Sequence, residues 1–372
     1  MSIPRCPVCR SAMIRNGKTS AGKQRWLCKS CKTTQTNPIN SDAKQFQVFL
    51  KWLLSKERQI DMPAQGRSFR NHTAKFWNLW AMPEMVDEIH RVIYVDGIYL
   101  ARNVVILIAC SDDYVLGWYL ARSENSRSWE ALISRIAPPL LVVSDGGNGF
   151  LKAKKKIWPQ TEIQRCTFHA FCQVKRYTTS KPNLEAGIEL YAIAKDLLHV
   201  KTLDEAQVWV AIYLKWCGMW DDFLQETTVK DGHRELTHYR LVKAKNSLNV
   251  LINKGHLFTY LDDLLTIGGP LPATNNRIEG GVNAPIRQVL REHRGLSLVR
   301  RIKAVFWWCY MHTEYPLGYA DILKVMPTDE DIEKTYRSLT YAELSYETIP
   351  QWGDAIVWSE FHTADPWRHD WD

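Results

Sequence analysis

The sequence predicts an α/β core that carries a large all-helical insertion, with a small metal-bound ribbon and a short helical segment in front of it. Three observations predict this. Two Cys-x-x-Cys pairs stand close to the start. Short β-branched and apolar runs begin near Arg91. From His169 onward the apolar positions fall at steps of three and four instead. A chain of 372 residues is long enough for one large core with attachments, or for two to three domains. A hydrophobic content of 45% excludes wholesale disorder.

Residues 1–37 form the ribbon. Cys6 and Cys9 make one pair, Cys28 and Cys31 the other, with 18 residues between them. Four thiolates on two such knuckles suit tetrahedral zinc, with bonds of about 2.3 Å. A segment this short cannot hold itself together by apolar burial, so structural Zn2+ would supply its folding energy. An iron centre is the alternative for the same four ligands. Asn16-Gly17 reads as a turn, and Asn37-Pro38 as the exit turn. The other five cysteines (Cys110, Cys166, Cys172, Cys217, Cys309) are scattered. An odd total with clustered pairs favours metal and reduced thiols over a disulfide framework. The first 40 residues hold eight Lys or Arg and no acid, within a net charge of +8. That is the signature of a polyanion-binding surface, with Arg25 and Lys29 as contacts to DNA phosphates. An ordinary solvated basic face has the same composition.

Residues 38–88 read as two helices, at 46–54 and 68–80. The second is basic and aromatic, with Arg70, Lys75, Phe76 and Trp77. The pair suggests a helix-turn-helix DNA-binding segment, although many small helical hairpins look the same. Residues 89–169 give the first part of the core. Apolar strands are expected at 92–95, 104–109, 115–120, 140–143 and 163–166. Helices are expected at 126–136 and 148–156. Three strands, a helix, a strand, a helix and a strand is the order of a ribonuclease H-like sheet. The insertion covers 170–270, with helices at 190–198, 203–216 and 248–265 and no expected strand. The second part of the core is 271–335, including an aromatic helix at 297–310. The tail, 336–372, is acidic and carries Trp352, Trp358, Trp367 and Trp371 of the 16 tryptophans.

Asp96 ends the first core strand and Asp145 the fourth. If those strands are neighbours, both carboxylates open onto one crevice. Paired carboxylates repel unless they are protonated or bind cations. Two divalent ions about 4 Å apart would relieve that repulsion and would serve phosphodiester chemistry. Mg2+, with Mn2+ as a substitute, suits such an oxygen-only site. Glu279 is the candidate third carboxylate and Glu292 its rival. Asp-Gly is also an ordinary turn sequence, so spacing alone leaves both readings open.

Four segments go further: Val95-Asp96-Gly97, Ser144-Asp145-Gly146, Cys166-Thr167-Phe168-His169 and Thr274-Asn275-Asn276-Arg277-Ile278-Glu279. In order and spacing they resemble the Mutator-like superfamily of DDE transposases, in particular bacterial insertion-sequence enzymes. The resemblance covers about residues 90 to 315. The 134 positions from Asp145 to Glu279 are similar to that family's span across its helical insertion. Two features depart from its pattern: Asn275-Asn276 before Arg277, and Gly280-Gly281 after Glu279. The resemblance implies a catalytic triad of Asp96, Asp145 and Glu279 holding Mg2+. It places Cys166 and His169 beside that centre, as outer-shell groups or as a structural pair. It implies double-stranded DNA with terminal inverted repeats and target DNA as partners, bound by a homodimer or larger assembly. Cleavage at the element end and 3'-hydroxyl strand transfer are the implied reactions. Another nuclease on the same fold, or a non-catalytic DNA-binding descendant, remains compatible with the residues. Basic runs on either side of the triad would contact DNA backbone: Lys154 and Lys155 with Lys152 and Lys156, and Arg277, Arg287, Arg291 and Arg294 with His293, Arg300, Arg301 and Lys303. With no signal-peptide pattern and no apolar run of membrane-spanning length, a soluble cytoplasmic protein without a membrane partner is expected.

Overall fold

In the computed structural model the ribbon, front helices, sheet and insertion sort by which apolar surface each can bury, and residues 4–6, 8–36 and 42–338 are described. The exit turn at Asn37-Pro38 and nearly all of the acidic tail, with its four tryptophans, lie outside the described residues.

The ribbon strands β1 (Ile14–Lys18), β2 (Gln24–Leu27) and β3 (Thr34–Thr36) pair antiparallel in that order. Asn16-Gly17 is not a turn but sits inside β1. Gly17 has φ 68° where the register slips between Arg15 and Lys18, so the pair marks a bulge. The turn itself is at Thr19, where the Gly22 N–H donates back to the Thr19 carbonyl at 2.9 Å.

Helix α1 (Asp42–Leu53) and helix α2 (Arg67–Thr73) present aromatic faces inward. Phe46, Phe49, Trp52, Phe69, Phe76 and Trp77 are buried in the same cluster as the main core. The expected helix at 68–80 stops at Thr73 and tightens into a 3-10 segment, Ala74–Asn78. Phe76 and Trp77 are consecutive and both buried there. The chain then leaves the helical path at Leu79, which is extended at φ −85° and ψ 144°.

The core sheet has five strands: β4 (Val92–Ala101), β5 (Val104–Cys110), β6 (Val115–Ala121), β7 (Leu141–Ser144) and β8 (Glu162–Arg165). Their order is β6-β5-β4-β7-β8. The β4–β5 and β5–β6 pairs are antiparallel, and β4–β7 and β7–β8 are parallel. Every residue of β5 and β6 is buried, as expected for strands covered on both faces. Alternation divides the side chains between two cores. Ile93, Val95, Val105 and Leu107 pack with Trp129 of α3 (Ser126–Ile133) and Phe150 of α4 (Asn148–Ile157). Val92, Tyr94, Ile106 and Ile108 belong to the opposite core, with the front helices.

From α5 (Thr167–Thr178) the chain leaves the sheet through α6 (Glu185–Asp196), α7 (Leu203–Met219) and α8 (Asp221–Gln225). It returns after α9 (Tyr239–Asn253). These helices bury their own core, in which Trp209, Tyr213 and Trp216 line up on α7. The insertion is not all-helical. Strands β9 (Thr227–Lys230) and β10 (His233–Leu236) form an exposed hairpin. Asp231 and Gly232 at its tip have φ 52° and 77°, as a two-residue type I′ turn requires. The expected helix at 248–265 ends at Asn253. Gly255 follows in the left-handed region at φ 69° and breaks the helical path.

Residues 276–292 bring the chain back to the sheet. They comprise the single turn α10 (Asn276–Ile278), a π turn (Glu279–Asn283) and α11 (Ala284–Glu292). Helix α12 (Leu298–Met311) then runs through the main core, with Ile302 to Tyr310 all buried. Lys303 belongs to this buried face, and the expectation that it meets DNA is overturned. Its Nζ donates to the Trp77 carbonyl (2.5 Å) and to Asp329 (2.6 Å) and lies over the Trp80 ring. Desolvation lowers its pKa and Asp329 opposes that, so the charge is spent tying α12 to α14 (Asp329–Ser338), which follows α13 (Tyr319–Val325). No helix among the described residues is long and apolar enough to cross a membrane.

Candidate active site

The parallel pairing of β4 with β7 creates the site. Val92 faces Leu141 and Tyr94 faces Val143. Two positions further on, the same register brings Asp96 opposite Asp145, just where β7 has ended. Asp96 is not at a strand end as expected. Strand β4 runs on through Gly97 to Ala101, held by β5. Asp96 Oδ1 accepts the Gly97 N–H at 2.9 Å, and Oδ2 accepts Asn283 Nδ2 at 2.6 Å. Asp145 caps its own turn, accepting the Gly147 N–H at 2.9 Å. Gly146 sits at φ 82°, and a side chain there would run into the Arg165 guanidinium. That close approach requires glycine.

Glu279 opens the π turn. Its Oε1 lies 3.5 Å from His169 Nδ1 on α5. The Cys166, His169 and Glu279 ligand atoms all fall within 4.8 Å of one another. Backbone bonds fix this junction. The Thr167 N–H donates to the Ala273 carbonyl (3.0 Å), the Asn275 N–H to Cys166 Sγ (3.2 Å), and Asn275 Nδ2 to the Val95 carbonyl (3.1 Å). Cys166 is thus an acceptor in a hydrogen-bonded joint, and burial pushes its thiol up.

The site is rich in negative charge. Burial, reinforced by Asp145, Glu124 and Glu279, pushes Asp96 up to about 7. Burial, then Asp145, also raises Glu124. Burial lowers the Arg165 pKa, and Asp145 opposes that. Glu279 Oε1 is buried with no hydrogen-bond donor. A crowd of carboxylate oxygens with one such orphan fits a hard divalent cation bound through oxygen. Asp96, Asp145 and Glu279 would hold it only after closing up, since among the described residues the set around Glu279 with ligand atoms within 4.8 Å of one another is Cys166, His169 and Glu279.

The Asp96 shift has a testable consequence. A carboxyl whose folded pKa is raised costs stability once ionised. That cost is absent below its ordinary value of 3.8 and complete above about 7. In magnesium-free buffer, the stability gained by Asp96→Asn should therefore grow between those two pH values. The limiting slope is about 1.4 kcal/mol per pH unit. Denaturant midpoints of the two proteins across that range measure it, and a pH-independent difference would refute the burial argument. Added Mg2+ should shrink the difference.

Sequence reasoning missed Glu124, Arg165 and Asn283. Only Asn283 has a legible signal, four positions after Glu279 on the same helical stretch. Glu124 precedes the cap of α3, where Asn125 accepts the Ser128 N–H (2.9 Å), and nothing local marks it. Its Oε1 would lie 2.8 Å from a Cβ on Gly97, so glycine after Asp96 makes room for it. The rival Glu292 is exposed at the end of α11, accepts from Gln288, and is not among the groups acting on Asp96. His293 is also withdrawn from the DNA-facing set. It is buried, with its ring 4.6 Å from that of Trp52.

The remaining cations divide by exposure. Arg25, Lys29, Arg70, Lys155, Arg287, Arg291 and Arg294 are exposed. The last three repeat at helical spacing along α11 and just beyond it. Lys75 pairs with Asp42 (2.5 Å), Lys154 donates to the Pro159 carbonyl (3.3 Å), and Arg277 Nε donates to the Asp112 carbonyl.

In the ribbon, Cys6–Cys31 and Cys9–Cys28 sulfurs lie 3.4 Å apart and Cys9–Cys31 sulfurs 3.5 Å. A tetrahedral zinc with bonds of about 2.3 Å has edges near 3.8 Å, so the four sulfurs need only a small expansion. The Thr33 hydroxyl and backbone hold the Cys31 thiol down to about 6, already suited to a thiolate ligand.

Comparison with known families finds matches over both regions. Residues 2–32 match the InsA N-terminal domain, a zinc ribbon, and residues 84–253 match the family described as Transposase, Mutator family. Residues 84–253 are thus similar to Mutator-family transposases, and residues 2–32 to a zinc ribbon. The transposase match contains Asp96, Asp145, Cys166 and His169, and Glu279 lies beyond it. A transposase for insertion sequence element IS6120 from Mycolicibacterium smegmatis is 28% identical over 142 residues. That alignment covers 34% of this chain and 40% of the relative.

Proposed function

We propose that this chain cuts DNA at the ends of an insertion sequence and transfers the freed 3'-hydroxyl to target DNA, using a ribonuclease H-like core. The observation that carries the reading is the meeting of Asp96 and Asp145, on adjacent parallel strands, with a glutamate delivered by a helix 134 positions later. The strand order, with three antiparallel strands followed by two parallel ones, supports the fold assignment.

Asp96, Asp145 and Glu279 would hold Mg2+, and Mn2+ would replace it. Bound there, divalent ions would supply Lewis-acid stabilisation to phosphodiester chemistry. His169 Nδ1 lies 3.5 Å from Glu279 Oε1 without a hydrogen bond, and would orient that carboxylate once a cation is bound, as an outer-shell imidazole does. Arg287, Arg291 and Arg294 line up to meet phosphates beside the site. Arg25 and Lys29 of the zinc ribbon, with Arg70 and Lys75 of the front helices, engage the terminal inverted repeats. Two ends must be joined in one event, so a homodimer or larger assembly forms on DNA.

The test is cleavage and joining of labelled DNA carrying the element's own ends, in Mg2+ or Mn2+, beside a Glu279→Gln control. Metal-dependent cleavage and joining that the control loses would establish the activity and fix the third carboxylate. Zinc-dependent binding without cleavage in either metal would refute the catalytic reading.

A further inference from the structure

The segment that departs from the family pattern is also where the returning helix widens. Residues 279–283 form a π turn, with α-helical geometry before and after. Such turns bond i to i+5 and take more residues per turn than an α-helix. Side chains four apart then stay on one side of the helix. Asn275, Glu279 and Asn283 have that spacing, and all three meet the middle of β4: Asn275 and Asn283 bond to Val95 and Asp96, and Glu279 acts on Asp96.

The two asparagines that bracket Glu279 are unusual. Both are fully buried, at 0% exposure, and each has an Oδ1 with no hydrogen-bond donor. The buried residues around them on this stretch, Ile278, Val282, Ile286 and Val289, are apolar. A half-satisfied amide in that setting costs stability that an apolar residue would not. Asn283 instead spends its nitrogen on Asp96 Oδ2, at 2.6 Å. The amide nitrogen must face the carboxylate, because the flipped amide would set oxygen against oxygen. Gly281 fits the same arrangement, since a side chain there would strike the Arg277 guanidinium.

We infer that Asn283 is a positioning residue: its amide fixes the Asp96 carboxylate relative to the Glu279 turn, so that two acids from distant parts of the chain form one divalent-cation site. The inference rests on the proposed function, in that it presumes Asp96 and Glu279 share a cation. Gly97 N–H holds one Asp96 oxygen from within β4, and Asn283 holds the other from the helix that carries Glu279. Without the second bond the carboxylate can rotate about χ2, while Asn275 still ties the helix to β4 through the Val95 carbonyl.

The experiment is a Mn2+ titration of the full chain followed by electron paramagnetic resonance, at fixed pH. It compares wild type with Asn283→Leu, Asn283→Ala and Asp96→Asn. Loss of Asn283 should weaken Mn2+ binding by about tenfold, the usual cost of removing an outer-shell partner, with ribbon zinc content unchanged and the melting temperature of Asn283→Leu not lowered. A folded Asn283→Leu protein whose Mn2+ affinity stays within about twofold of wild type would overturn the inference, while the metal reading would stand. Should the leucine variant fail to fold, Asn283→Ala decides by the same readout. If Asp96→Asn binds Mn2+ as wild type does, the shared cation site itself is refuted, and this inference falls with it.

Discussion

Asp96→Ala should abolish strand cleavage while DNA binding stays near the wild-type level. Asp96 is the residue on which the candidate site converges. It accepts from Gly97 within its own strand and from Asn283 on the returning helix, and it feels Asp145, Glu124 and Glu279. Removing an outer-shell partner of a metal ligand costs about 10- to 100-fold in activity, and removing a ligand should exceed that range. Binding should survive because the exposed cations, Arg25 and Lys29 on the ribbon and Arg287, Arg291 and Arg294 on the returning stretch, do not depend on the carboxylate. The fold should survive as well, since alanine removes a buried negative charge that its neighbours repel. Cleavage of labelled ends and fluorescence anisotropy on the same DNA separate the two functions. Retained cleavage would remove Asp96 from the mechanism. Lost binding would mean that the acidic centre organises the DNA surface.

What can be read from the sequence, and what cannot, follows from how local each signal is. Strands β5 and β6 are buried on both faces, and their uninterrupted apolar runs announce them. The end of β4 is different. Polar Asp96 and Gly97 look like a strand end, but pairing with β5 from Gly97 opposite Leu107 to Ala101 opposite Val104 carries the strand onward. That pairing is a tertiary fact with no local signature. The β9–β10 hairpin shows the reverse failure. Its Asp231-Gly232 turn signal is legible, yet the helical periodicity on either side outweighs it. Lys303 reads as part of a charge run with the neighbouring arginines. Only the packing of α12 against Trp77 and Asp329 shows that its charge is turned inward. Glu124 joins the site across the sheet, through the space left by Gly97, and no spacing rule connects the two positions.

Removal of zinc, by a chelator or by Cys28→Ser, should unfold the ribbon and leave the α/β core standing. The ribbon's buried apolar set is Cys6, Met13, Trp26 and Cys28, and two of these are thiol ligands. Every residue of β1 is exposed. Two buried side chains cannot offset the entropy of ordering some thirty residues, which costs about 1–2 kcal/mol each for the backbone alone. The metal must therefore supply the difference, and structural zinc sites are worth about 10–16 kcal/mol. The main core and the insertion core bury separate clusters that contain no ribbon residue, so they should melt at nearly the same temperature with or without zinc. Trp26 reports the local change, because it is 8% exposed in the folded ribbon and would become solvated. DNA affinity should fall together with its dependence on salt. For every phosphate that Arg25, Lys29 or their neighbours no longer neutralise, the slope of log K against log salt becomes shallower by about 0.9. A ribbon that keeps Trp26 buried after zinc is gone would show that the four cysteines are not its framework. An unchanged salt slope in an unfolded ribbon would place DNA recognition on the front helices and on the arginine row beyond the π turn.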